Sequence, residues 1–318
     1  MSLLKLDAKT MASIDPQLSK AVTIGADART IFLMSNLDQN SFLQTPQPED
    51  FFEMEGNLYL SLQMTDRFSL YFAKGISITS EIFGLGYILP TNGWVKVGRF
   101  VPDFGWHTPD HTAFVRQYMN FTPPNQTDVG IEAGVNPGGL VLTGAVLNGQ
   151  LGQILDLDNR MELVGRGLYR LHLAPAGIAL GGSILWNRSP YLNQEQTAWG
   201  GFGYFQLKPV TWTWEADFSK YHDLTTTAAD STVFFTSHEL AVQVRQGLDL
   251  KGTLDFYNPD LNENRGERIR YGFGAESMLY PFVRLEAMVY LYRNIAEAGI
   301  DYPESEYTQF IGQVHFFY

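Results

Sequence analysis

The chain has 318 residues, of which 45% are hydrophobic and only 18% charged, with a formal net charge of −12 and no cysteine. These values exclude disulfides, thiolate metal centres and Cys-x-x-Cys-His haem attachment, and the acidic balance argues against nucleic acid as a partner. No run of about 18 apolar residues is present to form a transmembrane helix. The 14% aromatic content and 30 glycines fit a barrel of about 16 strands facing lipid, although a large soluble β-sandwich shares such a composition.

The first ten residues, MSLLKLDAKT, lack the long apolar core and small-residue cleavage site of a signal peptide. A processed or re-engineered form is therefore expected, with residues 1–19 as an N-terminal periplasmic segment and 20–318 as the barrel. From about residue 50 onward, period-two alternation dominates. Met54, Gly56, Leu58, Leu60, Leu62 and Met64 make one face, against Glu55, Asn57, Tyr59, Ser61 and Gln63. The same division recurs at Val129–Val135, at Val210–Ser219 and at Val283–Leu291. Many of these runs span about 10–15 residues, longer than soluble strands, which peak near 5–6.

Turns come in two alternating kinds. Short ones lie at Thr65-Asp66-Arg67, Asn136-Pro137-Gly138-Gly139, Ala174-Pro175-Ala176-Gly177, Lys208-Pro209, Gln246-Gly247-Leu248 and Tyr280-Pro281. Longer polar stretches separate them, as expected for the tight periplasmic and long extracellular rims of an outer-membrane barrel. Parity makes the strands near 93–100 and 127–136 both descend, so an ascending strand is expected between them, with Thr112 to Phe121 (TAFVRQYMNF) as the candidate. The total is then 16, with 14 or 18 as alternatives. A closed, antiparallel, all-β transmembrane barrel is expected, because lipid cannot satisfy open strand edges.

The last strand, YTQFIGQVHFFY from Tyr307 to Tyr318, carries Phe310, Gly312, Val314, Phe316 and Tyr318 on one face. It resembles the C-terminal signature of bacterial outer-membrane β-barrel porins that the barrel assembly machinery reads. VKVGRFVPDFGWHTPDHTAFVR, from Val95 to Arg116, is similar to a segment of phosphate-selective-type porins and of the porin components of porin–cytochrome electron conduits. The first resemblance implies an outer-membrane location, with lipid as surroundings. The second implies a barrel that sheathes a multihaem c-type cytochrome, with any haem belonging to that partner and no cofactor in this chain.

Predicted inward faces carry both signs: Arg160, Arg166, Arg170, Arg245, Lys251, Arg268, Arg270 and Arg284 with Glu53, Glu55, Asp128, Glu132, Glu215, Asp217, Asp255, Glu276 and Glu286. Such groups either form a selectivity ladder or merely satisfy one another. Arg99, Asp103, His107, Asp110, His111 and Arg116 are candidates for a plug or a partner contact. His107 and His111 are competent metal ligands, but Pro109 breaks the helix that would place both rings on one face, so no metal is assigned. Trp212, Trp214, Phe316 and Tyr318 are expected in the interfacial aromatic girdle. Neither Gly-x-Ser-x-Gly nor His-Glu-x-x-His occurs, so the leading expectation is a porin-like channel for small charged solutes. A cytochrome sheath is the alternative, and an outer-membrane enzyme a third class.

Overall fold

The computed structural model describes residues 2–4, 15–36, 49–75, 80–119, 126–151, 153, 158–189, 193–225, 230–262, 266–295 and 305–318. Its strands are β1 (Gln17–Ser19), β2 (Val22–Ser35), β3 (Glu49–Gln63), β4 (Phe68–Gly75), β5 (Glu81–Leu89), β6 (Gly93–Phe100), β7 (Asp128–Val135), β8 (Leu140–Leu147) and β9 (Glu162–Leu173). They continue as β10 (Ala176–Ser189), β11 (Gln194–Leu207), β12 (Val210–Asp223), β13 (Ser231–Arg245), β14 (Leu248–Asn258), β15 (Arg268–Tyr280), β16 (Val283–Asn294) and β17 (Ser305–Phe317). One short helix, α1 (Phe114–Gln117), interrupts the series.

Strands β2 to β17 each pair antiparallel with the next, and β17 returns to β2, closing a ring of 16. The short β1 pairs with β2 outside the ring. Closure satisfies every edge, which a membrane core demands. Tyr318 completes the seam by exchanging backbone hydrogen bonds with Ala26, at 2.8 and 3.1 Å. Leu3 and Leu4 donate to the carbonyls of Met278 and Leu279, so the described N-terminal residues lie against the short-turn rim.

Alternation explains the two surfaces. Neighbours Asn57 and Leu58 are 5% and 69% exposed, because successive side chains point to opposite faces. The exposed set runs round the ring through Ile82, Val97, Ile131, Leu142, Leu163, Ile184, Trp199, Leu240, Leu250, Phe273 and Phe316. An apolar belt of that extent is a lipid-facing one. Trp212 is exposed on the same face, Trp214 is half-buried with its ring 6.5 Å away, and Phe316 and Tyr318 are exposed near the short-turn rim.

Two expectations are corrected. Thr112–Phe121 is no strand: residues 120–121 lie outside the described residues, and the remainder is turn and helix α1. β6 pairs directly and antiparallel with β7, so these two strands run in opposite directions. The count of 16 survives because residues 68–89 supply two strands, β4 and β5. The second correction is local. Arg29 pairs with Glu55 and Thr30 with Glu53, leaving Met54 as a bulge. The extra residue flips the alternation, so Met54 and Phe52 pack inward beside Ile31 and Ile311, and Glu53 is exposed.

Candidate functional site: the barrel lumen

The connection after β6 turns back into the lumen and packs there. Phe104, Ala113, Val115 and Met119 join Phe100, Ala145, Leu147, Val164, Leu185, Ala198 and Phe235 in one buried apolar cluster. This is a dry core inside the barrel, seated on β6, β8 to β11 and β13. Burying a side chain the size of Phe or Val there contributes roughly 1.5–3 kcal/mol.

Polar contacts fix the rest of the segment. Gly105 N donates to Ser183 Oγ at 2.9 Å, Trp106 N to Glu215 Oε1 at 3.1 Å, and Arg166 Nε to the Gly105 carbonyl at 2.9 Å. Gly105 has φ +69°, and a Cβ there would strike Glu215, so this close approach requires glycine. Asp103 accepts from Thr143 Oγ1 at 2.8 Å and faces Arg166 and His107 at 3.5 and 3.4 Å. Burial pushes the Asp103 carboxyl up, but the His107 hydrogen bond, Arg166 and Thr143 outweigh it and hold it at about 2.

Further along, Asp110 accepts from Thr112 N and Oγ1 at 2.8 and 2.6 Å and pairs with Arg270 at 3.0 Å. Burial would raise its carboxyl, yet Arg270 and Thr112 prevail and keep it low. Arg270 is fully buried, also pairs with Asp255 at 2.6 Å, and lies 4.5 Å over the Tyr290 ring. Phe114 N donates to the same Asp255 at 3.3 Å. His111 meets Glu55 at 2.9 Å, and Glu55 also pairs with Arg29 at 3.2 Å. Arg116 binds the Thr108 carbonyl and Gln126 Oε1.

Of the predicted plug residues, Asp103, His107, Asp110, His111 and Arg116 therefore gather in the lumen segment. Arg99 does not: it lies on the outward register of β6 and binds the Thr127 carbonyl at 3.4 Å. His107 and His111 face different carboxylates, and neither belongs to a three-ligand metal group among the described residues. Of the predicted inward charges, Glu132 pairs with Lys96 at 2.9 Å. Asp217 is buried two positions along β12 from Glu215, on the same inward face, and meets that carboxyl. Lys251 sits amid Glu276, Glu239 and Glu286 at 2.8, 3.3 and 3.7 Å, and Arg284 faces Glu276 at 3.9 Å. Arg268 donates to Tyr118 Oη at 3.2 Å toward the opposite mouth. Arg160, Arg170 and Arg245 are exposed near strand ends, away from the centre.

Sequence reasoning missed Asp27, Glu239 and His315, though all three share inward registers with residues it did assign. Their signal was available: in β17 the face opposite Phe316 carries Gln309, Ile311, Gln313 and His315.

What remains open is narrow. A cavity of about 350 Å³ at the short-turn end is lined by Lys208, Asp249, Gln243 and Lys251. It shares Glu239, Lys251 and Arg284 with a gap of about 40 Å³ that Arg29, Asp110 and Glu286 also line.

A closed 16-strand barrel with an apolar outside, a charged inside and a connecting segment folded into the lumen defines the class: the chain has the fold of bacterial outer-membrane porins. Solved structures agree. OprB of Pseudomonas putida matches with a TM-score of 0.70 and 8% identity, over 94% of each chain. The anion-selective porin from Comamonas acidovorans matches at 0.66 and 11% identity, over 94% of this chain and 99% of that one. The outer membrane channel DcaP of Acinetobacter baumannii matches at 0.62 and 10%, over 95% and 100%. Sequence comparison matches no family model and no curated protein.

Proposed function

We propose that the chain is a porin-like channel in a bacterial outer membrane, passing small charged solutes by passive diffusion. The observation that carries this reading is a polar lumen, narrowed by the chain's own segment to a gap lined by charges of both signs. At that gap Arg29, Lys251 and Arg284 stand against Asp110, Glu239, Glu276 and Glu286, so the field tips toward cations. The cytochrome-sheath alternative needs a lumen free for a partner, and here residues 101–119 fill much of it.

Purified chain inserted in planar lipid bilayers is expected to give small ohmic steps, with a reversal potential favouring cations in a KCl gradient. Lys251→Ala removes the only base within 4 Å of Glu239 among the described residues and should raise the cation-to-anion permeability ratio a few-fold. Absence of conductance steps, or haem absorbance in the protein purified from its native membrane, would overturn the channel reading.

A further inference from the structure

The barrel seam, where β17 closes onto β2, holds chemistry that the channel reading does not use. His315 of β17, Arg29 of β2 and Glu55 of β3 form one row across it, and Asp27 and Asn57 lie in the next inward row toward the short turns. One ligand atom from each of Asp27, Glu55 and His315 lies within 4.8 Å of the others. Asp27 and His315 each keep an unsatisfied atom, while Glu55 already meets His111 and Arg29 and would share its oxygens with an ion. Among the described residues, six of the eleven buried side-chain polar atoms without a partner gather here, on Asp27, Arg29, Asn57, His111, Arg284 and His315. His315 is only 8% exposed with Nε2 unpartnered, and Asn57 is 5% exposed with Oδ1 unpartnered. Asp27 Oδ1 is also free, its other oxygen accepting from the Tyr59 hydroxyl. Buried polar atoms ordinarily find partners.

Charge points the same way. Arg29, Lys251 and Arg284 face Asp27, Glu55, Glu239, Glu276 and Glu286 along this wall, so the network is short of positive charge. We propose that Asp27, Glu55 and His315 bind a divalent transition-metal ion of the zinc class, with the Asn57 amide oxygen or water completing the shell, and that the ion staples the first strand of the ring to the last. One imidazole with two carboxylates suits Zn²⁺, whereas Mg²⁺ favours an all-oxygen octahedron.

Arg284 governs access to the site. Its Nη2 lies 3.0 Å from His315 Nδ1, and a guanidinium can only donate, so the ring proton sits on Nε2. Metal ligation through Nε2 moves that proton to Nδ1 and turns Arg284 toward Glu276, 3.9 Å from its Nη1. Arg284 thus competes with the ion.

The test is calorimetric titration of the EDTA-stripped full chain in detergent micelles with Zn²⁺, and with Mg²⁺ as control. One Zn²⁺ per chain is expected, with at least tenfold weaker binding in His315→Gln and in Asp27→Asn, and tighter binding in Arg284→Met. Zn²⁺ should also raise the temperature at which the folded band is lost on semi-native gels, in the wild type but not in His315→Gln. Should His315→Gln fail to fold, Asp27→Asn decides. No Zn²⁺ binding up to millimolar concentrations, equal binding by both ligand variants, or looser binding in Arg284→Met overturns the proposal. It needs only the closed seam, so bilayer conductance and zinc titration succeed or fail separately.

Discussion

The inward segment is held by two seats of different chemistry. On one side Phe104, Ala113 and Val115 sit in a dry apolar cluster. On the other, Asp110 and His111 reach Arg270 and Glu55 across the lumen. Apolar burial is non-directional and offers salt no charge to screen, so it holds the segment in place without fixing its pose. Ion pairs in a desolvated site are directional, and losing one partner is costly. The first seat thus keeps the lumen narrow, and the second decides which charges face the gap.

The two seats can be broken separately. Arg270→Ala strands Asp255 and Asp110 as buried carboxylates and should destabilise the fold by about 3–5 kcal/mol, read as a lower urea midpoint. The freed segment should also raise single-channel conductance. Phe104→Ala should cost about 3 kcal/mol through the cavity it leaves, with the loss unchanged in 1 M salt. A strong salt dependence of that loss would show that the apolar seat is not dry.

A smaller effect concerns acid. The Asp103 carboxyl, held at about 2 against an ordinary 3.8, contributes stability that is fully present above the unfolded value and is lost as pH falls through the folded one. That contribution is on the order of 2 kcal/mol. The urea midpoint should therefore be flat from pH 7 to about 5 on this account and fall below about 4, and Asp103→Asn should flatten that acid limb. An unchanged limb in the variant would assign the loss to other groups. Smallest of all, 1 M salt should loosen the exposed Arg293–Glu306 pair with no measurable change in stability, since such pairs contribute at most about 1 kcal/mol.

The barrel was legible in the sequence because lipid imposes a rule on every strand: one face apolar, the next polar. Leu58 and Asn57 obey it, while Leu163 and Val164 at the start of β9 keep the exposed–buried alternation with an apolar residue on the inner face. The inward segment obeys no such rule. Ala113, Phe114, Val115 and Met119 are all buried, so TAFVRQYMNF shows apolar residues on consecutive positions, which imitates a short strand and conceals a segment covered on several sides. The Met54 bulge escaped for a related reason, since one inserted residue reverses the faces without changing the composition. Paired charges were legible as inward groups, but Arg270 with Asp255 and Asp110, or Lys251 among three glutamates, depend on the register between neighbouring strands and on the inward segment, which no single-strand pattern encodes.

Ala26 and Tyr318 hold hands across nearly the whole polypeptide. The ring therefore has no working halfway stage: an early strand must wait, unpaired along one side, until β17 has been made and delivered. Contacts so remote in sequence form slowly, and a gap in the wall is intolerable within hydrocarbon. Removing β17 would thus yield a product to be degraded, rather than a weakened version of the same protein.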